Sequence, residues 1–283
     1  MSQHPKVILL TMSAMAFFAA NSLLCRAALT QTAIDPASFT SIRIVSGALA
    51  LWLIAQFRRA GLRRHGSWMS ASALFVYCAS FSLAYLALTA ATGALILFGM
   101  VQITMIGHGL WSGERPSIRQ VLGLIVAFGG LCWLVLPGFS APPLWGSLLM
   151  MIAGAAWGAY SILGKGTADP TLETAGNFLR AVPFAVCFGV LALPWLSLDV
   201  AGVLYGVTSG AITSGLGYAV WYTALRGLSS TQAATAQLTV PAIAAGGGAI
   251  FLTEPLTWHL VVSSIAILGG AAVVMLDKQR LRR

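Results

Sequence analysis

Ten predominantly apolar stretches fill this sequence almost from end to end. Each is about as long as the roughly 20 residues a helix needs to cross the hydrocarbon core of a bilayer. They run over residues 7–28, 37–57, 68–88, 92–111, 118–136, 144–163, 172–193, 200–225, 231–252 and 258–276. With 58% hydrophobic residues, 8% charged ones and a mean hydropathy of +0.85, the chain cannot coat a water-shielded core with polar surface, so its solvent has to be lipid. The connections are short and none is a soluble domain, which places nearly all of the function inside the membrane.

The formal net charge of +9 would suit a nucleic-acid binder, but the positions of the charges argue otherwise. With the N-terminus placed in the cytoplasm, Lys6, Arg58, Arg59, Arg63, Arg64, Arg115, Arg119, Lys165 and Arg226 fall on that side, together with Lys278, Arg280, Arg282 and Arg283. The other side receives mainly Arg26, Asp35, Asp199 and Glu254. This is the positive-inside pattern for an even number of spans with both termini cytoplasmic. No exposed aromatics are interleaved with the basic runs, as single-stranded nucleic acid would require.

The two halves repeat. Residues 18–26 (FAANSLLCR) align without a gap on 157–165 (WGAYSILGK), residues 38–43 match 175–180, and Asp35-Pro36 and Asp169-Pro170 precede that second match. Residues 89–136 overlay 229–276, which brings Glu114 onto Glu254 and Gly129-Gly130 onto Gly269-Gly270. The first span is therefore the counterpart of an integral helix and not a cleaved signal peptide, although Lys6 and the following apolar run imitate one. The expected organisation is two five-helix units, residues 1–139 and 140–283, forming one transport domain. An odd unit sets its copy upside down in the bilayer, the construction that suits alternating access to a site at the repeat interface.

These residues carry a family resemblance. The paired five-helix units, Arg43 and Arg180 early in the second helix of each, and the run Pro241, Glu254, Gly269-Gly270 resemble a ten-helix EamA-type member of the drug/metabolite transporter superfamily, and within it the aromatic amino-acid exporters. The first half departs from the run, with Val101 at the position of Pro241. The resemblance covers the whole chain. It implies export of amino acids or related metabolites through a central cavity formed by spans one, three, four, six, eight and nine. Other small metabolites or drugs, such as a nucleobase, a sugar or a cationic dye, are the alternative cargo. A multi-pass protein of the bacterial inner membrane, able to work as a monomer, is expected.

Individual residues sharpen this picture. The predicted spans hold almost no carboxylate, which disfavours a cation/proton antiporter built around a buried acid. Glu114 and Glu254 read as acids beside helix N-termini, and Asp35 and Asp169 as helix starts. Neutral groups at depth are the candidate substrate contacts: Asn21, Tyr77, Ser80, Gln102, Trp157, Tyr160, Tyr218 and Gln237. Amides and hydroxyls of this kind bond a zwitterion without fixing a net charge, and Trp157, flanked by Gly154 and Gly158, has room beside it for an apolar side chain. For any single hydroxyl or ring, helix packing is the commoner role. Arg43 and Arg180 sit about two turns into apolar helices, either snorkelling or bracing a neighbouring helix as a gate. Pro241, mid-span, and Gly246, Gly247 and Gly248 form the expected hinge, with spans three, four, eight and nine moving most. His108 lies near a span end, and no metal-ligand spacing, catalytic constellation or cofactor motif is present, so neither an enzyme nor a cofactor is expected. Trp68, Trp111, Trp145, Trp195 and Trp258 read as interfacial anchors.

Overall fold

The computed structural model describes residues 5–59, 61–62, 65–111, 117–135, 142–164, 167–227 and 236–280, and all regular structure among them is helical. The helices are α1 (Pro5–Gln31), α2 (Pro36–Phe57), α3 (Trp68–Tyr85), α4 (Ala90–Trp111), α5 (Ile118–Val135), α6 (Leu144–Leu163) and α7 (Pro170–Leu191). After a 3₁₀ turn over Leu193–Trp195 come α8 (Val200–Val207), a π-helical stretch (Thr208–Leu216) and α9 (Gly217–Leu225), which follow one another as one span. α10 (Val240–Phe251) and α11 (Trp258–Arg280) complete the chain. Seven of the spans are long and apolar enough to cross a membrane, and α5, α10 and α11 add shorter apolar segments. Glu114, Arg115 and Lys165 lie outside the described residues.

Helix starts follow the chemistry read from the sequence. Asp35 accepts from the backbone N–H groups of Ala37 and Ser38, both at 2.9 Å, and Asp169 from those of Thr171 and Leu172, with proline at the first helical position each time. These caps lie at opposite faces of the bundle. Asp35 accepts from the Ser197 amide, where α7 has ended, whereas Asp169 pairs with Arg58 at the end of α2. The helices α2 and α7 therefore run in opposite directions.

Burial raises the Asp35 carboxyl, but the hydrogen bonds from Ser38, Ser197 and Ala37 outweigh it and hold the group below its ordinary 3.8. Its stabilising contribution is complete above that unfolded value and disappears as pH falls through the lower native one. Asp35→Ala should cost about 1 kcal/mol at pH 7, the worth of an N-cap. Thermal unfolding in detergent should show that gap closing only below the ordinary carboxylate range.

Glycines set the closest helix contacts. A Cβ on Gly130 of α5 would meet Ala266 Cβ at 2.6 Å and the Ile267 amide at 3.1 Å, while one on Gly270 of α11 would meet the Ala127 amide at 2.6 Å. Each glycine thus packs on the other helix one turn before its counterpart, a reciprocal contact like that of a two-fold interface. Gly129 and Gly269 have nothing within 4 Å. Large apolar side chains such as Ile125, Phe128 and Ile265 are exposed on the outer surface of the same helices, where a bilayer removes the penalty that water would impose. Trp68, Trp111, Trp145, Trp195 and Trp258 are all exposed near helix ends, as an interfacial belt requires.

One sequence expectation changes here. Pro241 is not in the middle of a helix: a turn at Leu238 and Thr239 precedes α10, and Pro241 lies in its first turn. Proline is tolerated there because the missing N–H has no intrahelical partner to lose. The ninth span is broken and restarted instead of kinked, while α4 passes through Val101 unbroken.

Candidate functional site

Trp157 is the meeting point of the aromatic residues. Gly154 and Gly158 flank it on α6 and bring α4 close, since a Cβ on Gly154 would lie 2.6 Å from the Leu97 carbonyl oxygen and one on Gly158 2.8 Å from Thr104 Cβ. The buried indole meets Tyr218 at 4.9 Å between ring centroids, Tyr77 at 5.0 Å, Tyr160 at 5.6 Å and Phe18 at 6.0 Å. These separations are those of favourable aromatic pairs.

A small cavity adjoins this cluster. Phe18, Asn21 and Ser22 come from α1, Tyr77 and Phe81 from α3, Leu97 and Phe98 from α4, Trp157 from α6 and Tyr218 from α9. The space open to the centre of a water-sized sphere is about 10 Å³, enough for about one water. An amino acid can enter only if the walls part.

One wall is a polar network organised around a buried cation. Arg43 has no exposed surface. Its Nε donates to Ser214 Oγ at 3.1 Å and one terminal nitrogen donates to the Tyr77 hydroxyl at 3.1 Å. The guanidinium carbon lies 5.1 Å from the centroids of both the Tyr77 and Phe81 rings, within cation–π range. Asn21 donates to the same Tyr77 oxygen at 3.3 Å and accepts from Ser209 at 2.7 Å. Ser209 and Ser214 belong to the π-helical stretch, a geometry rare in proteins and concentrated at functional sites. The other terminal nitrogen of Arg43 has no hydrogen-bond partner, and neither has the buried Tyr218 hydroxyl. Among the described residues the ion pairs are Arg26–Glu254, Arg58–Asp169 and His65–Glu173, so no carboxylate faces Arg43.

The residues that line the cavity carry no charge. Outside the lining, the Arg43 guanidinium is bonded to the Tyr77 hydroxyl and lies 5.1 Å from the centroids of the Tyr77 and Phe81 rings, both of which do line the cavity. Of the two expected roles for Arg43, snorkelling does not apply: the side chain is fully buried and bonded to Ser214 and Tyr77, because an arginine two turns from a helix start can be enclosed when neighbouring helices approach as closely as the π-helical stretch does. Arg180, its repeat counterpart, is half-buried and differs in role. It donates to the carbonyls of His65 and Gly176, tying the segment before α3 to α7.

Of the other expected contacts, Asn21, Tyr77, Trp157 and Tyr218 are in the lining, while Ser80, Gln102, Tyr160 and Gln237 are buried outside it. Tyr160 stacks behind Trp157 and accepts from Asn177 at 3.4 Å. Gln102 keeps an unpartnered amide nitrogen. Phe18, Phe81, Leu97 and Phe98 escaped sequence reasoning because apolar residues in apolar helices carry no distinguishing signal. His108 is exposed in the last turn of α4. Gly247 packs on Leu23 and Gly248 on the Glu254 carboxylate, whereas Gly246 has open space around it, and all three are helical within α10.

At the face where α1 ends, a clamp spans both halves. Arg26 donates to Glu254 at 3.1 Å and to the Tyr85 carbonyl at 2.7 Å, and Glu254 accepts from the Ala90 amide at 2.8 Å. Glu254 does sit beside a helix N-terminus, but that of α4 in the other half, not that of α11 which follows it in sequence.

The model of the EamA-like transporter family matches residues 5–136 and again 144–276. An uncharacterized protein of Pseudomonas aeruginosa is 52% identical over 271 residues, covering 95% of this chain and 94% of its own. The aromatic amino acid exporter YddG of Escherichia coli is 24% identical over 85% of this chain and 87% of its own. The threonine/homoserine exporter RhtA of Salmonella typhimurium is 28% identical over 57% of this chain and 56% of its own.

Proposed function

The chain belongs to the EamA-like transporter family, as a multi-pass membrane transporter and not an enzyme, and from that premise we propose that it exports amino acids, aromatic and other neutral ones, by alternating access through the cavity beside Trp157. The observation that carries this reading is the composition of the cavity wall. Phe18, Phe98 and Trp157 offer apolar faces to a side chain, while Asn21, Tyr77 and Tyr218 offer hydrogen bonds to the polar end of the same molecule. That pairing suits a zwitterion with an apolar or aromatic side chain. Distant relatives named as exporters of aromatic amino acids and of threonine and homoserine support the substrate class.

Alternating access is supported by the sequence repeat, the opposed directions of α2 and α7, and the reciprocal Gly130 and Gly270 contacts. In this reading the protein lies in the bacterial inner membrane with both termini cytoplasmic, and the Arg26–Glu254 clamp closes the outer face.

The test is counterflow in proteoliposomes with labelled Phe, Thr and Met, beside a cationic dye and a nucleobase, without an imposed proton gradient. Saturable uptake of the amino acids alone is expected. Trp157→Ala should lower Phe counterflow about tenfold, the loss of more than one aromatic contact, and Thr counterflow less. Uptake of the dye or nucleobase instead would leave the family and fold standing and defeat the substrate assignment.

A further inference from the structure

We propose that Arg43 is the fixed counter-charge for the substrate's carboxylate, acting through the Tyr77 hydroxyl, so that the cavity selects ligands bearing a carboxylate. The proposal deepens the amino-acid reading by naming which end of the zwitterion is recognised and where, and it rests on that reading only for the ammonium group and side chain.

The argument begins with an uncompensated cation. A guanidinium at membrane depth is costly, and a buried cation is ordinarily accompanied by an anion. Arg43 is fully buried, holds two hydroxyls and two aromatic faces, and is in none of the ion pairs among the described residues. Hydroxyls and ring faces solvate a positive charge without neutralising it, so the site retains positive potential.

Hydrogen-bond accounting directs that potential into the cavity. The Tyr77 oxygen accepts from Arg43 at 3.1 Å and from Asn21 at 3.3 Å. Both acceptor positions of a phenol oxygen are then occupied and its proton is left to donate elsewhere. Asn21 is held in that orientation by Ser209, which donates to its carbonyl oxygen. Tyr77 lines the cavity, as does Tyr218, whose hydroxyl is buried without a hydrogen bond. Two phenols whose O–H is not spent on a hydrogen bond therefore line one space, one of them bonded to Arg43, and an O–H donor polarised in this way forms its strongest bonds to a carboxylate oxygen. A carboxamide at the same place brings no charge to balance Arg43. Because Arg43 acts through Tyr77, it is a positioning residue.

The experiment is calorimetric binding to the full-length protein in detergent, with phenylalanine, phenylalaninamide and 3-phenylpropionate as probes. The wild type should prefer phenylalanine to its amide by roughly 10- to 100-fold, the usual range for a hydrogen bond to a charged group. Arg43→Gln and Tyr77→Phe should each bring the acid/amide ratio close to one, and Arg43→Lys should restore part of it. A brace that only shapes the site would weaken both ligands alike, so an unchanged ratio in Tyr77→Phe and Arg43→Gln overturns the proposal. If Arg43→Gln fails to fold, Tyr77→Phe decides alone, since it leaves the guanidinium in place and removes only the donor. Binding of 3-phenylpropionate but not phenylalanine, lost in Tyr77→Phe, would defeat the amino-acid reading and leave the carboxylate site standing. Equal binding of acid and amide by the wild type, or no binding of either carboxylate, overturns the proposal itself.

Discussion

Gly210→Val will eliminate the folded protein, and Gly210→Ala will leave little of it. Gly202, Gly206 and Gly210 lie at four-residue intervals along α8 and into the π-helical stretch, and all three face the first turns of α2 and the segment before it. A Cβ on Gly206 would meet Ile42 Cγ2 at 2.9 Å, whereas one on Gly210 would fall on the Arg43 carbonyl and the Ser46 hydroxyl. The difference between the two sites decides the size of the effect. Ile42 can turn its side chain, so Gly206→Ala should cost about 1–3 kcal/mol, the ordinary range for overpacking. At Gly210 the obstacle is backbone, and relief requires the π-helical stretch to leave α2. That movement takes Ser214 away from Arg43, whose hydrogen bond to it is 3.1 Å long, so packing loss and polar loss arrive together. We expect a cost above about 4 kcal/mol, among the largest for single substitutions. The measurement is the yield of monodisperse protein after detergent extraction, with Gly246→Ala as the contrast. Nothing lies within 4 Å of a Cβ at Gly246, so alanine there should match or exceed the parent by up to about 1 kcal/mol through helix propensity. Equal yields from Gly210→Ala and Gly246→Ala would show that the seam is not as tight as the geometry requires.

The seam also shows what was legible in the sequence and what was not. Spans, caps and interfacial tryptophans were readable because each rests on local chemistry: apolar length, Asp-Pro at a helix start, an indole at a span end. The repeat pairs Arg43 with Arg180 as sequence positions, but equivalence of position did not mean equivalence of environment. Arg43 is enclosed because glycines of the eighth span admit α2, while Arg180 reaches the carbonyls of His65 and Gly176. Which glycine meets which backbone is a tertiary fact. The cavity divided along the same line. Asn21, Tyr77, Trp157 and Tyr218 drew attention as polar or large aromatic groups among small neighbours, while Phe81 and Leu97 are distinguished only by where α3 and α4 cross. The π-helical stretch had no signature in composition, since Thr208–Leu216 reads as an unremarkable apolar helix with hydroxyls. The break before Pro241 was hidden by a proline that fits equally well as a kink or as a helix start.

Glu254→Ala will destabilise the protein by about 3–5 kcal/mol, the cost of removing one member of a buried ion pair. The side chains of Arg26 and Glu254 are 19% and 10% exposed, so solvent does little to rescue the survivor. The loss is threefold: Arg26 keeps only the Tyr85 and Leu86 carbonyls, the Ala90 amide at the start of α4 loses its acceptor, and the favourable placement of an anion at that helix N-terminus disappears. Glu254→Gln should cost less, because an amide oxygen can still accept from Ala90 while the charge on Arg26 goes unbalanced. The two variants separate stability from gating. In the proposed cycle this clamp joins α1, α3 and α4 of one half to the turn after α10 of the other, and it must part for the outer face to open. Cys25, next to Arg26 in sequence and fully buried, reports on that opening when the other three cysteines are replaced. Labelling of Cys25 by a membrane-impermeant maleimide should accelerate in Glu254→Gln about tenfold for each 1.4 kcal/mol of clamp energy lost, at temperatures where the variant remains folded. A labelling rate equal to the parent's, with the melting temperature lowered as expected, would make the pair a structural tie alone and move the outer gate elsewhere on that face.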